Sequence, residues 1–227
     1  MKIKEKRLTF SEKLHRGHFI YFACDYLYTL YMDYRIAGCS LNGLLCNPGD
    51  EIYPVQSLSY RVLRCLAKVV EIHKDDVFVD VGCGWGRLIG YLRRKGIGGK
   101  ESFGIEINSS AANFSKLVFK HDPHVHICCA NAVKCYVPSA TVLLLFNPFG
   151  EAVLEELLDM IESHYHLNIR LYYLHAVHET VFNKRKSRWK LRKRQLLKPK
   201  YHIPVVLCEY ELINPQKGNQ NEVFKKS

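Results

Sequence analysis

The chain has 227 residues and is 48% hydrophobic, a composition that allows one or two domains and provides enough apolar side chains for a full core. Its longest apolar stretch, residues 18–31, is interrupted by Asp25 and is shorter than the ~20 residues that a bilayer-spanning helix needs. The net charge of +11 comes from one segment, Lys184–Lys200, because removing its ten basic residues leaves 33 − 10 = 23 against 22 acidic residues elsewhere.

The N-terminal segment, residues 1–56, is predicted to contain a helix over residues 18–31. Gly38, Gly43, Pro48 and Gly49 then break the pattern into a loop. We expect the helix to pack over the main domain as a lid, while a helix lying on a membrane is the weaker alternative. The residues predicted to share one face of this helix recur at steps of three and four: Phe19, Phe22, Ala23, Tyr26, Leu27 and Leu30.

The main domain, residues 57–213, is predicted to begin with a helix over residues 57–70, capped by Ser57 or Ser59. Helices are expected after the first, second, fourth and fifth strands, and this alternation indicates an α/β protein with a mostly parallel sheet covered on both faces. The last two strands are close enough to form an antiparallel edge hairpin, and the polar tail, residues 214–227, is predicted to be disordered. We expect seven strands, near residues 77–81, 102–107, 124–129, 141–146, 169–175, 189–197 and 204–212.

The basic segment, Lys184–Lys200, contains no acidic residue. Such a patch attracts phosphate groups and is typical of nucleic-acid or anionic-surface binding, so nucleic acid is a candidate partner. A solvated hairpin or helix face is the favoured alternative. Trp189 is the segment's only aromatic residue, whereas proteins that read RNA usually offer several rings for stacking.

The chain has nine cysteines, an odd number that cannot all pair internally, and no signal peptide is recognised. Both observations indicate reduced thiols in a cytoplasmic protein. Histidines and cysteines are dense between residues 121 and 135, but they include no Cys-x-x-Cys pair and no second ligand pair at a familiar spacing. We therefore predict no metal site.

A glycine loop follows the first strand, in the sequence VFVDVGCGWGRL of residues 77–88. Glycines let the main chain approach a ligand closely, and the next helix contributes its free N–H groups, so the loop predicts a nucleotide-cofactor pocket. A dinucleotide requires the motif G-x-G-x-x-G. Counted from Gly82, the third glycine is replaced by Arg87, and counted from Gly84 it is replaced by Ile89, so neither register fits a dinucleotide. Asp80 would repel a pyrophosphate and would favour a cationic ligand.

With Asp80, the three glycines and Glu106 at the end of the next strand, the chain resembles the class I S-adenosylmethionine-dependent methyltransferases. The resemblance implies a seven-stranded Rossmann-like fold and S-adenosylmethionine as the cofactor. It also implies that Glu106 binds both ribose hydroxyls, and that Asn131, where many of these enzymes have an acid, accepts from the adenine amine. The residues implied to flank the methionine part are Asp80, Gly82, Cys83, Gly84 and Gly86.

The fourth strand ends in Phe146-Asn147-Pro148-Phe149-Gly150, which is similar to the Asn/Asp-Pro-Pro-Tyr/Phe loop of methyltransferases acting on nitrogen, although the second proline is missing. The similarity implies catalytic roles for Asn147, Pro148 and Phe149. Asn147 would hold the target amine, Pro148 would stiffen the turn and Phe149 would cover the amine with its ring. A plain strand-to-helix turn is the alternative.

Residues from about 30 to 182 resemble, as a whole, a bacterial group of class I methyltransferases with this Asn-Pro-Phe loop, including Tyr53-Pro54 and the run from His175 to Glu179. The group implies no acceptor. If the acceptor is a hydroxyl group, a base is needed, and His175 or His178 is the candidate. The alternative to an enzyme is a non-catalytic module on the same fold that holds RNA or another anionic partner through the basic segment.

Overall fold

The computed structural model describes residues 19–41, 55, 57–146, 149–165, 169–200 and 202–213. Within these residues seven strands form one sheet, in the order β3-β2-β1-β4-β5-β7-β6. All neighbouring pairs are parallel except those made by β7, which is antiparallel to both β5 and β6. The strands are β1 (Val77–Val81), β2 (Glu101–Glu106), β3 (Val125–Cys129), β4 (Val142–Phe146), β5 (Arg170–Leu174), β6 (Trp189–Leu197) and β7 (Val205–Leu212).

Helices cover both faces of the sheet, as the alternation of strands and helices predicts. Two large apolar clusters, one on each face, form most of the core, and a small third cluster surrounds Trp85. β4 is buried along Val142–Leu145, as its continuous apolar run predicts. The helices are α1 (Phe19–Ala37), α2 (Tyr60–Leu66), α3 (Arg87–Arg94), α4 (Ser109–Val118), α5 (Glu151–His164) and α6 (Glu179–Lys184).

The predicted strands and their connections are confirmed. Each strand lies within one residue of its expected bounds, and the two last strands form the expected antiparallel hairpin. Helix α2 begins after Ser59, whose hydroxyl accepts from Val62 N, but it ends at Leu66, before the predicted end. The tail at 214–227 and the Tyr53-Pro54 pair lie outside the described residues.

The predicted apolar face of α1 is buried only in part: Ala23 and Leu30 are half-buried, and the side chains of Phe19 and Phe22 lie outside the described part of the chain. Tyr26 and Leu27 are 59% and 63% exposed. The side chains that pack against the core are instead Tyr28, Met32 and Ile36. This helix is apolar around most of its circumference, so its periodicity does not decide which side is buried.

A buried ion pair fixes the orientation of α1. The Asp33 carboxylate is fully buried and accepts from Arg87 Nη2 at 2.6 Å, from Tyr60 Oη at 2.6 Å and from Leu41 N at 2.9 Å. Arg87 is the first residue of α3 and is 3% exposed. The pair therefore attaches the N-terminal helix to the element that directly follows the glycine loop.

No helix in the described part of the chain is long and apolar enough to cross a membrane. Every cysteine within the described ranges is a free thiol. Over those same ranges, no group of three or more His, Cys, Asp and Glu side chains is arranged to hold a metal ion.

Candidate functional site

The glycine loop connects β1 to α3 at the carboxyl edge of the sheet. Gly82, Gly84 and Gly86 have φ values of 79°, 54° and 80°, a left-handed conformation that other residues rarely adopt. Gly82 N and Cys83 N donate to Ile105 O at 2.8 and 3.1 Å, which ties the loop to β2. The loop is thus fixed against the strand that carries the next predicted site residue.

Gly84 is also restricted by a close neighbour. A Cβ atom at this position would lie 2.6 Å from Cγ1 of Val55, just before the main domain, and the Gly84 carbonyl accepts from the buried Ser115 hydroxyl at 2.8 Å. Only a residue without a side chain fits between these contacts. The glycine pattern therefore has a packing reason as well as a ligand-binding one.

Glu106 ends β2 and is 6% exposed. Its Oε2 accepts from Gly84 N at 2.8 Å and its Oε1 accepts from Asn108 N at 2.8 Å. Two backbone donors hold the carboxylate in one orientation, and each oxygen keeps lone-pair capacity for another donor. Such a carboxylate is suited to accept from two neighbouring hydroxyl groups.

Asp80 lies near the end of β1 and is 3% exposed. Burial, followed by the negative charge of Glu106, raises the pKa of Asp80 to about 8. No group among the described residues donates a hydrogen bond to this carboxyl. A buried acid without a donor, facing a second buried acid, is an environment in which a cationic ligand binds favourably.

Cys83 lies inside the glycine loop and is buried. Burial raises the pKa of its thiol well above the usual value, and the charges of Asp80 and Glu106 act in the same direction. The thiol therefore stays protonated near neutral pH, and Cys83 contributes its backbone to the loop rather than a nucleophile.

Asn131 follows β3 and is exposed at the same edge of the sheet. Its side-chain oxygen accepts from Val133 N at 3.1 Å and caps a short 3₁₀ turn, Ala132–Lys134. The oxygen keeps one lone pair, so this cap leaves room for the predicted contact with an adenine amine.

The Asn-Pro-Phe loop is described only in part, because Asn147 and Pro148 lie outside the described residues. Phe149 is half-buried and packs against the core cluster on the α5 side of the sheet. The loop connects β4 to α5, whose N-cap is Gly150. Of the predicted acceptor residues, the structure therefore describes Phe149 alone, and the roles of all three stay predictions.

His175 follows β5 with a φ of 55°, the one positive φ outside glycine in the described chain. Its backbone N donates to Val206 O at 2.8 Å, and its ring centroid is 6.4 Å from that of Phe146. His178 is the N-cap residue of α6. His175 therefore lies beside the end of β4, and His178 lies three residues further along the chain after β5.

The basic segment forms part of α6, a turn and β6, which is an edge strand of the sheet. Charged side chains on an edge strand discourage pairing with another chain, so the fold itself accounts for part of this charge. Half of the segment's basic side chains have acidic partners: Lys184 with Glu151 and Glu155, Arg185 with Asp159 and Glu162, Arg188 with Glu162, Arg192 with Glu211, and Arg194 with Glu179.

Sequence reasoning missed three residues that shape the site. Ser115 holds the Gly84 carbonyl, Asn108 caps α4 through Ala111 N at 3.0 Å, and Arg87 anchors α1 beside the loop. Asn108 could have been found, because an asparagine just before a helical pattern is a cap signal. Ser115 and Arg87 act through contacts 31 and 54 residues away along the chain, which local patterns do not reveal.

Residues 51–127 match the model of a protein family described as histone methylation protein DOT1, which is about a third of the chain. No curated protein sequence matches the chain.

Solved structures match over a larger part of the chain. The tRNA methyltransferase TrmK of B. subtilis has a TM-score of 0.58 at 16% identity, over 71% of this chain and 69% of that one. An RNA methyltransferase of Salinibacter ruber, in complex with S-adenosyl-L-homocysteine, has a TM-score of 0.50 at 16% identity, over 67% and 91%. The N-methyltransferase NodS of Bradyrhizobium japonicum has a TM-score of 0.51 at 11% identity, over 68% and 85%. These likenesses confirm the predicted class I methyltransferase fold, while the narrower resemblance to the Asn-Pro-Phe group stays a prediction.

Proposed function

We propose that this chain, which has the class I methyltransferase fold, binds S-adenosylmethionine and transfers its methyl group to a nitrogen acceptor. The observation that carries the proposal is the pair of buried carboxyls at the glycine loop. Asp80 has no hydrogen-bond donor among the described residues, and two backbone N–H groups orient Glu106.

The residues present fit this cofactor. Its methionine part has an ammonium and a sulfonium and no phosphate, and a cation beside Asp80 would favour the ionised form of this carboxyl over the neutral form that burial favours. Its ribose has two neighbouring hydroxyls, which suit the two oxygens of Glu106. Asn131 remains the proposed acceptor for the adenine amine, and Gly82, Cys83, Gly84 and Gly86 the proposed backbone wall.

When bound, the cofactor supplies a methyl group that is already activated by its sulfonium. The protein has to orient the acceptor, exclude water and keep the attacking atom unprotonated, and orientation alone contributes on the order of 7–11 kcal/mol. We assign the acceptor position to Asn147, Pro148 and Phe149. The Asn147 amide oxygen would accept from the amine and turn its lone pair toward the methyl group.

The N-terminal segment, residues 1–56, is proposed as the lid of this pocket. Val55 lies against Gly84, and α1 is attached to the start of α3 through Asp33 and Arg87. These contacts of Val55 and α1 support the proposal. The lid would exclude water from the cofactor.

A calorimetric titration with S-adenosylhomocysteine tests the first step. We expect binding by the native chain and loss of binding in Asp80→Ala. The matched control is Asp75→Ala, which removes an exposed carboxylate just before β1 and should leave affinity unchanged. Absence of binding by the native chain at about millimolar ligand, where even weak cofactor affinity would register, would sink the proposal.

Transfer of a labelled methyl group to RNA, protein and small-molecule fractions tests the second step. Asn147→Ala should spare cofactor binding and remove transfer, whereas full activity would make the loop structural. Loss of activity in His175→Ala or His178→Ala, with a matching change in the pH profile, would instead indicate a hydroxyl acceptor and a base.

A non-catalytic module that binds RNA through the basic segment is the alternative function. It predicts cofactor affinity without transfer to any fraction. The ion pairs of Arg185, Arg188 and Arg194 weigh against this segment as the phosphate-binding surface, because these side chains already have acidic partners. A salt series on RNA binding tests it directly, since phosphate contacts make affinity fall as salt rises.

A further inference from the structure

The outer face of α1 carries a row of large side chains that the fold does not use. Leu27, Tyr31 and Tyr34 stand at positions i, i+4 and i+7 and are 63%, 55% and 69% exposed. Residues at this spacing share one side of a helix. Asp33 and Ile36 hold the opposite side against the domain. We call Leu27, Tyr31 and Tyr34 the tyrosine face.

Arginine side chains lie among these rings. The Arg35 guanidinium is 5.9 Å from the centroid of the Tyr31 ring and donates to Tyr31 Oη at 3.4 Å. Arg94 of α3 reaches across to donate to Arg35 O at 3.2 Å. On the other side of α1, the Arg64 guanidinium lies 4.9 Å from the ring centroid of Tyr28. Guanidinium groups and rings are thus interleaved along α1.

The charge around the tyrosine face is one-sided. Both acids of α1 are already engaged, Asp25 with Arg61 and Asp33 with Arg87. The sequences of α2 and α3 contain no acid at all. Four cations of this surface form no ion pair with an acid among the described residues: Arg35, Arg64, Arg94 and Lys95.

We propose that the tyrosine face and its surrounding cations bind a single-stranded nucleic acid. Exposed rings accept unpaired bases by stacking, and the cations track the phosphate backbone. A duplex would hide its base faces from the rings, so the surface suits a single strand. The interleaved arginines and the tyrosine hydroxyls favour this partner over a lipid surface, which would require a wider apolar face.

Binding of a nucleic acid at the tyrosine face is independent of methyl transfer. The surface consists of α1 and its neighbours α2 and α3, and its binding is measured without any cofactor. Failure of nucleic-acid binding would leave the proposed methyltransferase function in place. Failure of cofactor binding would likewise leave the tyrosine face untouched.

The test is fluorescence anisotropy of a labelled single-stranded RNA of about 12 nucleotides, within the site sizes that such surfaces cover, with the full chain. Replacing both rings, Tyr31→Ala with Tyr34→Ala, should weaken binding by at least about tenfold, because one stacked base is worth about fivefold to a hundredfold. Tyr34→Phe keeps the ring and should bind like the native chain. Arg94→Gln should reduce the slope of log affinity against log salt by about 0.7.

The matched control is the double variant Lys186→Ala with Lys190→Ala, which removes two charges from the basic segment and should bind like the native chain. Thermal melts of every variant confirm that the fold is retained. The proposal is overturned if the double tyrosine variant binds as tightly as the native chain. It is also overturned if the double lysine variant loses more affinity than the double tyrosine variant does. Binding to vesicles rich in phosphatidylserine, without binding to RNA or to DNA of the same sequence, would also overturn it.

Discussion

Replacing Asp33 by alanine should destabilise the protein strongly, although the residue lies outside the predicted main domain. Its carboxylate accepts from Arg87 Nε at 2.9 Å and from Arg87 Nη2 at 2.6 Å, with both side chains almost completely buried. Without it, the Arg87 guanidinium loses both hydrogen bonds to the carboxylate and still donates from Nη1 to the Leu58 carbonyl at 3.2 Å. Breaking a buried pair in this way costs about 3–5 kcal/mol.

Two further donors lose their acceptor in the same variant. Tyr60 Oη lies 2.6 Å from the carboxylate and Leu41 N lies 2.9 Å from it. Each buried donor without a partner costs about 1–3 kcal/mol when it stays buried, and less when α1 loosens and admits water. We expect a total loss of about 5 kcal/mol, which lowers the melting temperature of a domain of this size by about 10–20 °C.

Thermal melts followed by circular dichroism measure this loss. Asp25→Ala is the control on the same helix, because its ion pair with Arg61 at 2.6 Å is partly exposed and should contribute at most about 1 kcal/mol. The double variant Asp33→Leu with Arg87→Met removes both charges and should be more stable than Asp33→Ala. Equal melting temperatures for Asp33→Ala and Asp25→Ala would refute the reasoning.

Two other predictions concern the glycine loop. Asp80 has a folded pKa of about 8, above its unfolded value of 3.8, because of burial and Glu106, so stability should fall as pH rises between these values. Melts from about pH 5 to about pH 9 should show this fall in the native chain and a flatter profile in Asp80→Asn, and equal slopes would contradict it. Gly84→Ala should lower the free energy of unfolding by about 1–3 kcal/mol and abolish S-adenosylhomocysteine binding. The reason is that its Cβ would lie 2.6 Å from the Val55 side chain, on a backbone with φ at +54°. Gly150→Ala, with nothing within 4 Å, is the matched control, and a Gly84→Ala chain as stable as this control would contradict the packing argument.

The sheet could be predicted because each strand carries its own signal. The β4 sequence is continuously apolar and is buried on both faces, and the run before Asp80 is β-branched and aromatic. Parallel strands bring their carboxyl ends to one edge, so the predicted site residues after β1 and β2 had to lie close together. The described contacts between Glu106 and the Gly84 backbone are the result.

The internal order of the site could not be predicted in the same way. Which donors orient Glu106 depends on the backbone of Gly84 and Asn108, and the conformation of a loop is not encoded by residue type alone. The hydroxyl of Ser115 reaches Gly84 from the middle of α4. Nothing in the pattern of α4 distinguishes this buried serine from the exposed Ser109 and Ser110 at its start.

The orientation of α1 illustrates a general limit of periodicity. Counting apolar residues finds the buried side of a helix when the other side is polar, but α1 has rings on both sides. Its orientation is decided by one acid, Asp33, which is buried because Arg87 is buried opposite it. In a helix of this kind, the apolar residues do not identify the buried side. The buried side of α1 is identified by Asp33, which pairs with a basic residue at the start of another helix. With Asp33 inward, Tyr31 and Tyr34 are left in solvent beside Arg35, so the same ion pair that anchors the helix also creates the surface that we assign to a single-stranded nucleic acid.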